Sequence, residues 1–200
     1  MTMERALYKP LPFRKLDPGS GYFQPSASRL VQIDSPAIGV MTDLQKVSAA
    51  TIGPEVTLAQ ATQTMISRGV RLLLVVGPDE EILGLITARD TMGERPIKFI
   101  QQNGGKHSDL KVRDCMSATS TIEVLTLNDV LRAEVGHIVA TLKNVGRQHA
   151  MVVETDLASG KESIRGIFSI TQIGRQLGMS LQAFEVAKTF AEIEAALAAN

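Results

Sequence analysis

The order of apolar and polar residues predicts an α/β unit in the first half of the chain. Apolar residues recur at helical spacing over 56–66, which predicts a helix with one apolar face, and Gly69 is typical of a residue that ends a helix. The apolar run over 72–76 and the apolar segment over 82–87 predict two strands joined by a turn. A further helix is predicted to begin at Ala88.

The second half of the chain has the same order of elements. Residues 135–145 have the pattern of a helix, and Gly146 follows them. Apolar runs over 150–153 and 164–170 predict two more strands, which are joined by a longer turn. A final helix of this unit is predicted to begin near Thr171.

Four short segments can be paired between the two halves, which indicates an internal repeat. The pairs are Gly69 with Gly146, Leu74–Val76 with Met151–Val153, Gly84–Thr87 with Gly166–Ser169, and Val40–Thr42 with Cys115–Ser117. The segments come in the same order in both halves, at offsets of 75 to 82 residues. We therefore interpret the chain as two copies of one α/β unit.

These two units divide the chain into five segments. The first repeat is predicted over 37–100 and the second over 110–178, with a polar, glycine-rich linker over 101–109. Residues 1–36 contain five of the eight prolines and are predicted to form an irregular arm, either disordered or packed on a neighbour. Residues 179–200 have the pattern of an amphipathic helix, which packs on its own domain or on a second copy.

Composition and charge exclude several classes of protein. The chain has 200 residues, 44% of them apolar, and its 21 basic and 21 acidic residues give no net charge. This is the composition of a globular protein rather than a disordered one, and it gives no support for a nucleic-acid partner. The apolar runs are too short to span a membrane, and the N-terminus lacks the pattern of a signal peptide. With a single cysteine, the sequence predicts a cytoplasmic protein.

The sequence contains none of the common catalytic or metal-binding motifs. It has no phosphate-binding loop motif, no paired-histidine zinc motif and no nucleophile-elbow motif. Its three histidines are not at metal-ligand spacing, so we expect no metal and no catalytic residue. If the chain were an enzyme of an unrecognised kind, the candidates would be Asp90, His149 and Cys115.

A small polar cluster recurs where the second strand of each unit meets a helix. Thr87 and Asp90 have the spacing of a helix capping box, and Ser169 and Gln172 fit the same box in the second unit. A functional interpretation uses the same geometry. The helix N-terminus and the hydroxyl can hold a phosphate, and the carboxylate can accept both ribose hydroxyls.

The segments 69–76 and 84–90, in this order behind a helix, resemble the cystathionine-β-synthase (CBS) domain. The two copies resemble a tandem CBS pair, and the resemblance covers residues from about 38 to 178. It implies an α/β fold of two tandem repeats, each a small sheet with packed helices, related by pseudo-twofold symmetry. It also implies a cleft on each side of the axis that binds an adenosine-containing ligand (AMP, ADP, ATP or S-adenosylmethionine).

The resemblance also implies roles for individual residues. In the first site it assigns Asp90 to the ribose, Thr87 to the phosphate, Ile52 and Gly53 to the base, and Arg71 and Arg89 to phosphate contacts. In the second site Ser169 is retained and His149 takes the place of a polar phosphate neighbour. Gln172 replaces the ribose-binding aspartate there, and the stretch 126–135 is longer than its counterpart. We therefore expect the second site to be weakened or altered.

The sequence thus predicts a stand-alone, non-enzymatic regulatory CBS pair. It would bind an adenine nucleotide and signal through a change of repeat or dimer packing, as a homodimer with an unidentified regulated partner. The alternative is a structural or interaction module with no ligand, whose clefts are degenerate or filled by its own arm.

Overall fold

The computed structural model describes residues 11–22 and 31–178 of the chain. The predicted C-terminal helix over 179–200 lies outside the described residues, as do residues 1–10 and 23–30 of the predicted arm. In chain order the elements are β1 (Thr42–Asp43), β2 (Thr51–Ile52), α1 (Leu58–Arg68), β3 (Leu72–Val76), β4 (Ile82–Thr87), α2 (Ala88–Met92), α3 (Glu94–Asn103), α4 (Val112–Cys115), β5 (Ser117–Ala118), β6 (Val124–Thr126), α5 (Leu127–Val130), α6 (Val135–Asn144), β7 (His149–Thr155), β8 (Glu162–Ser169) and α7 (Ile170–Gln176).

Local sequence signals determine where α1 begins and ends. The Thr57 side chain accepts a hydrogen bond from the Gln60 amide, and the Gln60 side chain accepts one from the Thr57 amide, which completes a capping box. Gly69 ends the helix with φ 64°, a left-handed conformation that favours glycine. The residues that α1 buries are Leu58, Ala61 and Met65, which confirms three of the four predicted apolar positions, whereas Ile66 is 67% exposed.

The remaining elements of the two repeats follow the predicted order. Strands β3 and β4 have the predicted bounds, β7 extends beyond the predicted run at both ends, and β8 begins two residues earlier and ends one residue earlier than predicted. The long stretch over 126–135 contains the extra one-turn helix α5, which has no counterpart between β2 and α1. Residues 101–103, which sequence analysis placed in the linker, form the last turn of α3.

The two four-stranded sheets exchange their edge strands. One sheet has the order β2-β3-β4-β5 and the other the order β1-β8-β7-β6. Strand β5, which lies near the start of the second repeat, pairs antiparallel with β4 of the first repeat. In the same way β1 lies near the start of the first repeat and pairs antiparallel with β8 of the second. This equivalence gives the module its approximate twofold symmetry.

Three apolar clusters form the core of the described residues. Two of them lie between a sheet and the helices of its own repeat, and their largest members are Phe168 in one and Leu58 and Leu73 in the other. The third contains Leu72, Leu74 and Met151 and joins strands of the two sheets. The repeats are therefore packed into one module through their strands.

The last residues of the predicted arm bind the start of α6. The Ile33 carbonyl accepts a hydrogen bond from the Gly136 amide at 2.8 Å, and the Ser35 carbonyl accepts one from the Val135 amide at 2.9 Å. Amide groups in the first turn of a helix have no partner within the helix, so these contacts satisfy two of them. This end of the arm is thus ordered against the second repeat.

None of the helices in the described ranges 11–22 and 31–178 combines the length and the apolar composition that crossing a membrane requires.

Candidate functional site

A cleft of about 800 Å³ lies between the two repeats. The first repeat lines it with the junction of β4 and α2 and with the beginning of α3. The second repeat contributes the segments 117–123 and 146–151, which include β5. The cleft volume is within the range typical of small-molecule sites. We refer to it as the first cleft.

Thr87 and Asp90 form the predicted capping box at the edge of the first cleft. The Thr87 amide and hydroxyl donate to Oδ2 of Asp90 at 2.9 and 2.6 Å, and the Asp90 amide donates to the Thr87 hydroxyl at 3.4 Å. The Asp90 side chain is 12% exposed, so the carboxylate keeps limited access to the cleft. The structural interpretation of this pair is confirmed, and it fixes the position of the carboxylate that the functional interpretation uses.

Arg95 holds the other oxygen of the same carboxylate, and sequence analysis did not single it out. Its Nε lies 3.2 Å from Oδ1 of Asp90. Its Nη1 donates to the Cys115 carbonyl at 2.9 Å and to the Ser117 hydroxyl at 3.1 Å. Arg95 therefore joins the capping box of the first repeat to the strand that begins the second.

The first cleft combines an apolar floor with a charged rim. Its apolar lining residues are Leu72, Leu85, Ile122 and Met151. On the rim, Arg147 pairs with Glu123 at 2.9 Å and Lys98 pairs with Glu94 at 2.7 Å. Arg89 also lines the cleft and, among the described residues, has no ion-pair partner. Such a lining suits a ligand with an apolar ring, hydroxyl donors and an anionic group.

His149 lies in the wall of the first cleft at the start of β7. The pKa of its imidazole is lowered from 6.5 to about 4, mainly by burial and then by repulsion from Arg71, while attraction to Asp90 acts in the opposite direction. The ring is therefore neutral at physiological pH and offers the cleft one donor and one acceptor nitrogen.

The neutral state of His149 predicts a stability that depends on pH. Because its pKa in the folded chain is below the ordinary value of 6.5, the unfolded chain takes up the proton first as the pH falls. Stability is present in full above pH 6.5 and decreases towards pH 4, with a loss of about 2 kcal/mol between pH 7 and pH 5. Urea unfolding across this range tests the prediction. His149→Gln is expected to remove this part of the slope, and an equal slope in both proteins would contradict it.

Half of the residues assigned to the site from sequence lie in the first cleft, and half do not. Thr87, Arg89, Asp90 and His149 line it together. Ile52, Gly53, Arg71 and Ser169 are not among its lining residues.

The exchange of edge strands explains this division. Ile52 faces the helices of its own repeat within the core. Strand β5 instead brings Thr121 and Ile122 of the second repeat to the cleft that holds Asp90. Arg71 does not line this cleft, and its Nη1 donates to the Thr171 hydroxyl of the second repeat at 3.5 Å.

The second copy of the polar cluster does not form a capping box, so that part of the prediction is wrong. The Ser169 side chain makes no capping hydrogen bond at the start of α7. The side-chain oxygen Oε1 of Gln172 instead accepts a hydrogen bond from the Thr42 hydroxyl of β1 at 3.2 Å. Gln172 binds β1 through its side-chain amide and offers no carboxylate to a ribose. This part of the module therefore differs from the first cleft.

Cys115, the remaining candidate for catalysis, does not line the first cleft. It is 2% exposed, and burial followed by repulsion from Asp114 raises the pKa of its thiol. A buried cysteine with a raised pKa is a poor nucleophile. Within the described ranges, no group of three or more His, Cys, Asp or Glu side chains is placed to hold a metal ion.

Residues 39–95 match the CBS domain family. Among solved structures, an uncharacterized conserved protein from Pyrococcus horikoshii superposes with a TM-score of 0.53 at 18% identity, over 77% of this chain and 100% of that one. A CBS-domain containing protein from Agrobacterium tumefaciens gives 0.52 at 18% identity, over 78% and 98%. CBSX2 in complex with AMP gives 0.50 at 18% identity, over 70% and 94%. No curated protein matches the sequence. At such identities the structural similarity shows a shared fold.

Proposed function

We propose that this chain, whose residues 39–95 match the CBS domain family and whose fold is that of a CBS-domain containing protein, is a regulatory module whose first cleft binds an adenosine-containing ligand. The ligand class is AMP, ADP or ATP, with S-adenosylmethionine as a further candidate. The observation that carries this proposal is the position of the Asp90 carboxylate beside an apolar floor.

Each part of an adenosine nucleotide has a complementary group in this cleft. A carboxylate accepts the two adjacent hydroxyls of a ribose, and Oδ1 of Asp90 lies on the side away from Thr87. The apolar floor, with Leu85 and Ile122, favours the face of the adenine ring. The cations Arg89 and Arg147 on the rim favour the phosphate.

Charge considerations favour a small anion over a polymer. The whole chain has no net charge, so it provides no long-range positive field. At the first cleft the attraction for an anion comes from a few local cations. The similarly folded CBSX2, solved in complex with AMP, adds support for a nucleotide in a cleft of this fold.

The proposed response to ligand is a change in packing between the repeats. Both repeats line the first cleft, so a ligand that contacts both favours the orientation of the repeats that fits it.

We also infer a homodimer, because Met92 and Ile97 on α2 and α3 are 70% and 58% exposed. The regulated partner remains unidentified in this proposal. We infer a protein without catalytic activity, since the imidazole in the cleft, with a pKa of about 4, is a weak base and the carboxylate is already paired with Arg95. We also infer a cytoplasmic location, in keeping with the single cysteine of the sequence.

One observation favours the alternative of a structural module that binds no ligand. Both oxygens of Asp90 already have partners within the chain, Oδ2 in the capping box and Oδ1 with Arg95. On the other side of the module Gln172 binds Thr42. Internal contacts of this kind can fill a site completely, so the two candidates need a direct test.

Ligand extraction and thermal unfolding separate these two candidates. The purified full chain is denatured and its extract is analysed by mass spectrometry for nucleotides. In parallel, the Tm is measured with AMP, ADP, ATP and S-adenosylmethionine. A ligand at 100 times its Kd stabilises a protein by about 2.7 kcal/mol, so we expect a rise of several degrees. An extract without nucleotide, together with an unchanged Tm for all four compounds, would favour the structural module.

A further inference from the structure

The guanidinium of Arg95 bonds to groups that come from both repeats. From the first turn of α3 it reaches Oδ1 of Asp90 at 3.2 Å. It also donates from Nη1 to the Cys115 carbonyl at 2.9 Å and the Ser117 hydroxyl at 3.1 Å. The planar fork of an arginine can serve several acceptors at once, which the point charge of a lysine does less well.

The contact between Arg95 and Asp90 limits the access of a ligand to the carboxylate. Oδ2 of Asp90 is committed to the amide and hydroxyl of Thr87, so Oδ1 is the oxygen that remains for an incoming donor. Arg95 already donates to Oδ1. A ribose hydroxyl that binds this oxygen has to share it with Arg95 or replace it.

We propose that Arg95 competes with the ribose hydroxyls of the ligand for Asp90 and thereby links occupancy of the first cleft to strand β5. This inference rests on the proposed function and assigns a specificity-determining residue to the same site. When ribose hydroxyls occupy Oδ1, Arg95 loses one of its three acceptors, and its hold on Cys115 and Ser117 changes. Strand β5 then changes its pairing with β4.

The position of β5 makes this link effective. Ser117 pairs with Leu85 and Ala118 pairs with Gly84, so β5 is the edge strand next to β4, the strand that leads into α2 and Asp90. The same strand leads directly into the segment 121–123, which lines the cleft from the second repeat. A change at Arg95 therefore reaches both walls of the first cleft.

The competition is tested with nucleosides, which carry no phosphate. Binding of adenosine and of 2′,3′-dideoxyadenosine is measured by calorimetry on the full chain and on Arg95→Gln. Removal of the competitor is expected to tighten adenosine binding roughly threefold, the scale of a half-exposed ion pair, and to leave the dideoxy compound unaffected. Arg113→Gln is the matched control, since Arg113 pairs with Glu55 away from this cleft and is 52% exposed, against 48% for Arg95.

The link to β5 is tested by hydrogen exchange of the amides in peptides that cover 115–119. Adenosine is expected to change their exchange rates in the wild-type chain. In Arg95→Lys, which keeps the charge near Asp90 but not the forked contacts, adenosine is expected to bind without changing these rates. Thermal unfolding of each variant verifies that it is folded.

The outcomes distinguish failure of this inference from failure of the proposed function. If neither the wild-type chain nor Arg95→Gln binds adenosine, AMP, ADP, ATP or S-adenosylmethionine, both proposals are overturned. If both bind adenosine with equal affinity, or if the dideoxy compound gains as much as adenosine does, the role of Arg95 is overturned and the proposed function stands. Equal exchange of 115–119 with and without adenosine in the wild-type chain overturns the link to β5.

Discussion

Asp90→Asn is expected to abolish the thermal stabilisation that adenine nucleotides give to this chain. The substitution keeps the size of the side chain but removes the charge that strengthens hydrogen bonds from ribose hydroxyls. Each such bond to a charged group contributes about 1.5–3 kcal/mol, so we expect the Kd for AMP to rise by roughly 100-fold. Calorimetric titration and the Tm with AMP measure this change.

A second capping pair in the chain provides a matched control for this substitution. Thr126 and Asp129 make two of the three hydrogen bonds that Thr87 and Asp90 make, with the Thr126 hydroxyl 2.7 Å from Oδ2 of Asp129 and the Asp129 amide 3.2 Å from the Thr126 hydroxyl. Asp129 does not line the first cleft. Asp129→Asn is therefore expected to cost similar stability but to leave AMP binding intact. If the two variants bind AMP equally well, Asp90 does not hold the ligand.

Gly84→Ala is expected to lower the free energy of unfolding by about 3 kcal/mol. A Cβ atom at this position would overlap the Ser117 carbonyl of β5, which is backbone and cannot rotate away. The substitution therefore forces β5 away from β4, and the cleft loses the strand that supplies its second wall. Urea unfolding measures the loss of stability, and we also expect weaker AMP binding from the same variant.

The equivalent glycine of the second repeat provides a comparison. A Cβ at Gly166 would overlap the side chain of Met41 rather than a backbone carbonyl. Because methionine has several rotatable bonds, we expect Gly166→Ala to cost about 1 kcal/mol. Equal losses at Gly84 and Gly166 would show that β5 accommodates the methyl group as easily as a flexible side chain does.

Much of the fold was predictable because its signals are local. The apolar spacing of α1, the glycine at its end and the apolar runs of β3 and β4 each depend on a few adjacent residues. Duplication of those signals then revealed the two repeats. The capping pair of Thr87 and Asp90 was predictable for the same reason, since both partners lie within one helical turn.

The composition of the site was less predictable, because it depends on contacts between distant segments. The pairing of β5 with β4 joins residues more than 30 positions apart and brings Ile122, rather than Ile52, to the first cleft. The contact between Thr42 and Gln172 spans 130 positions and replaces the expected capping box. The one sequence signal for the exchanged strands β1 and β5 was the pairing of Thr42 with Ser117 near the start of each repeat. It did not indicate which strands β1 and β5 pair with.

The exchange of edge strands also has a consequence for assembly. A fragment that holds one repeat would lack the edge strand supplied by the other half, so β4 or β8 would present unpaired backbone groups. Two chains whose halves separate at residues 104–111 can satisfy those groups by pairing reciprocally, each giving its β5 to the other. The topology that completes the cleft within one chain thus also provides a route to domain swapping between chains.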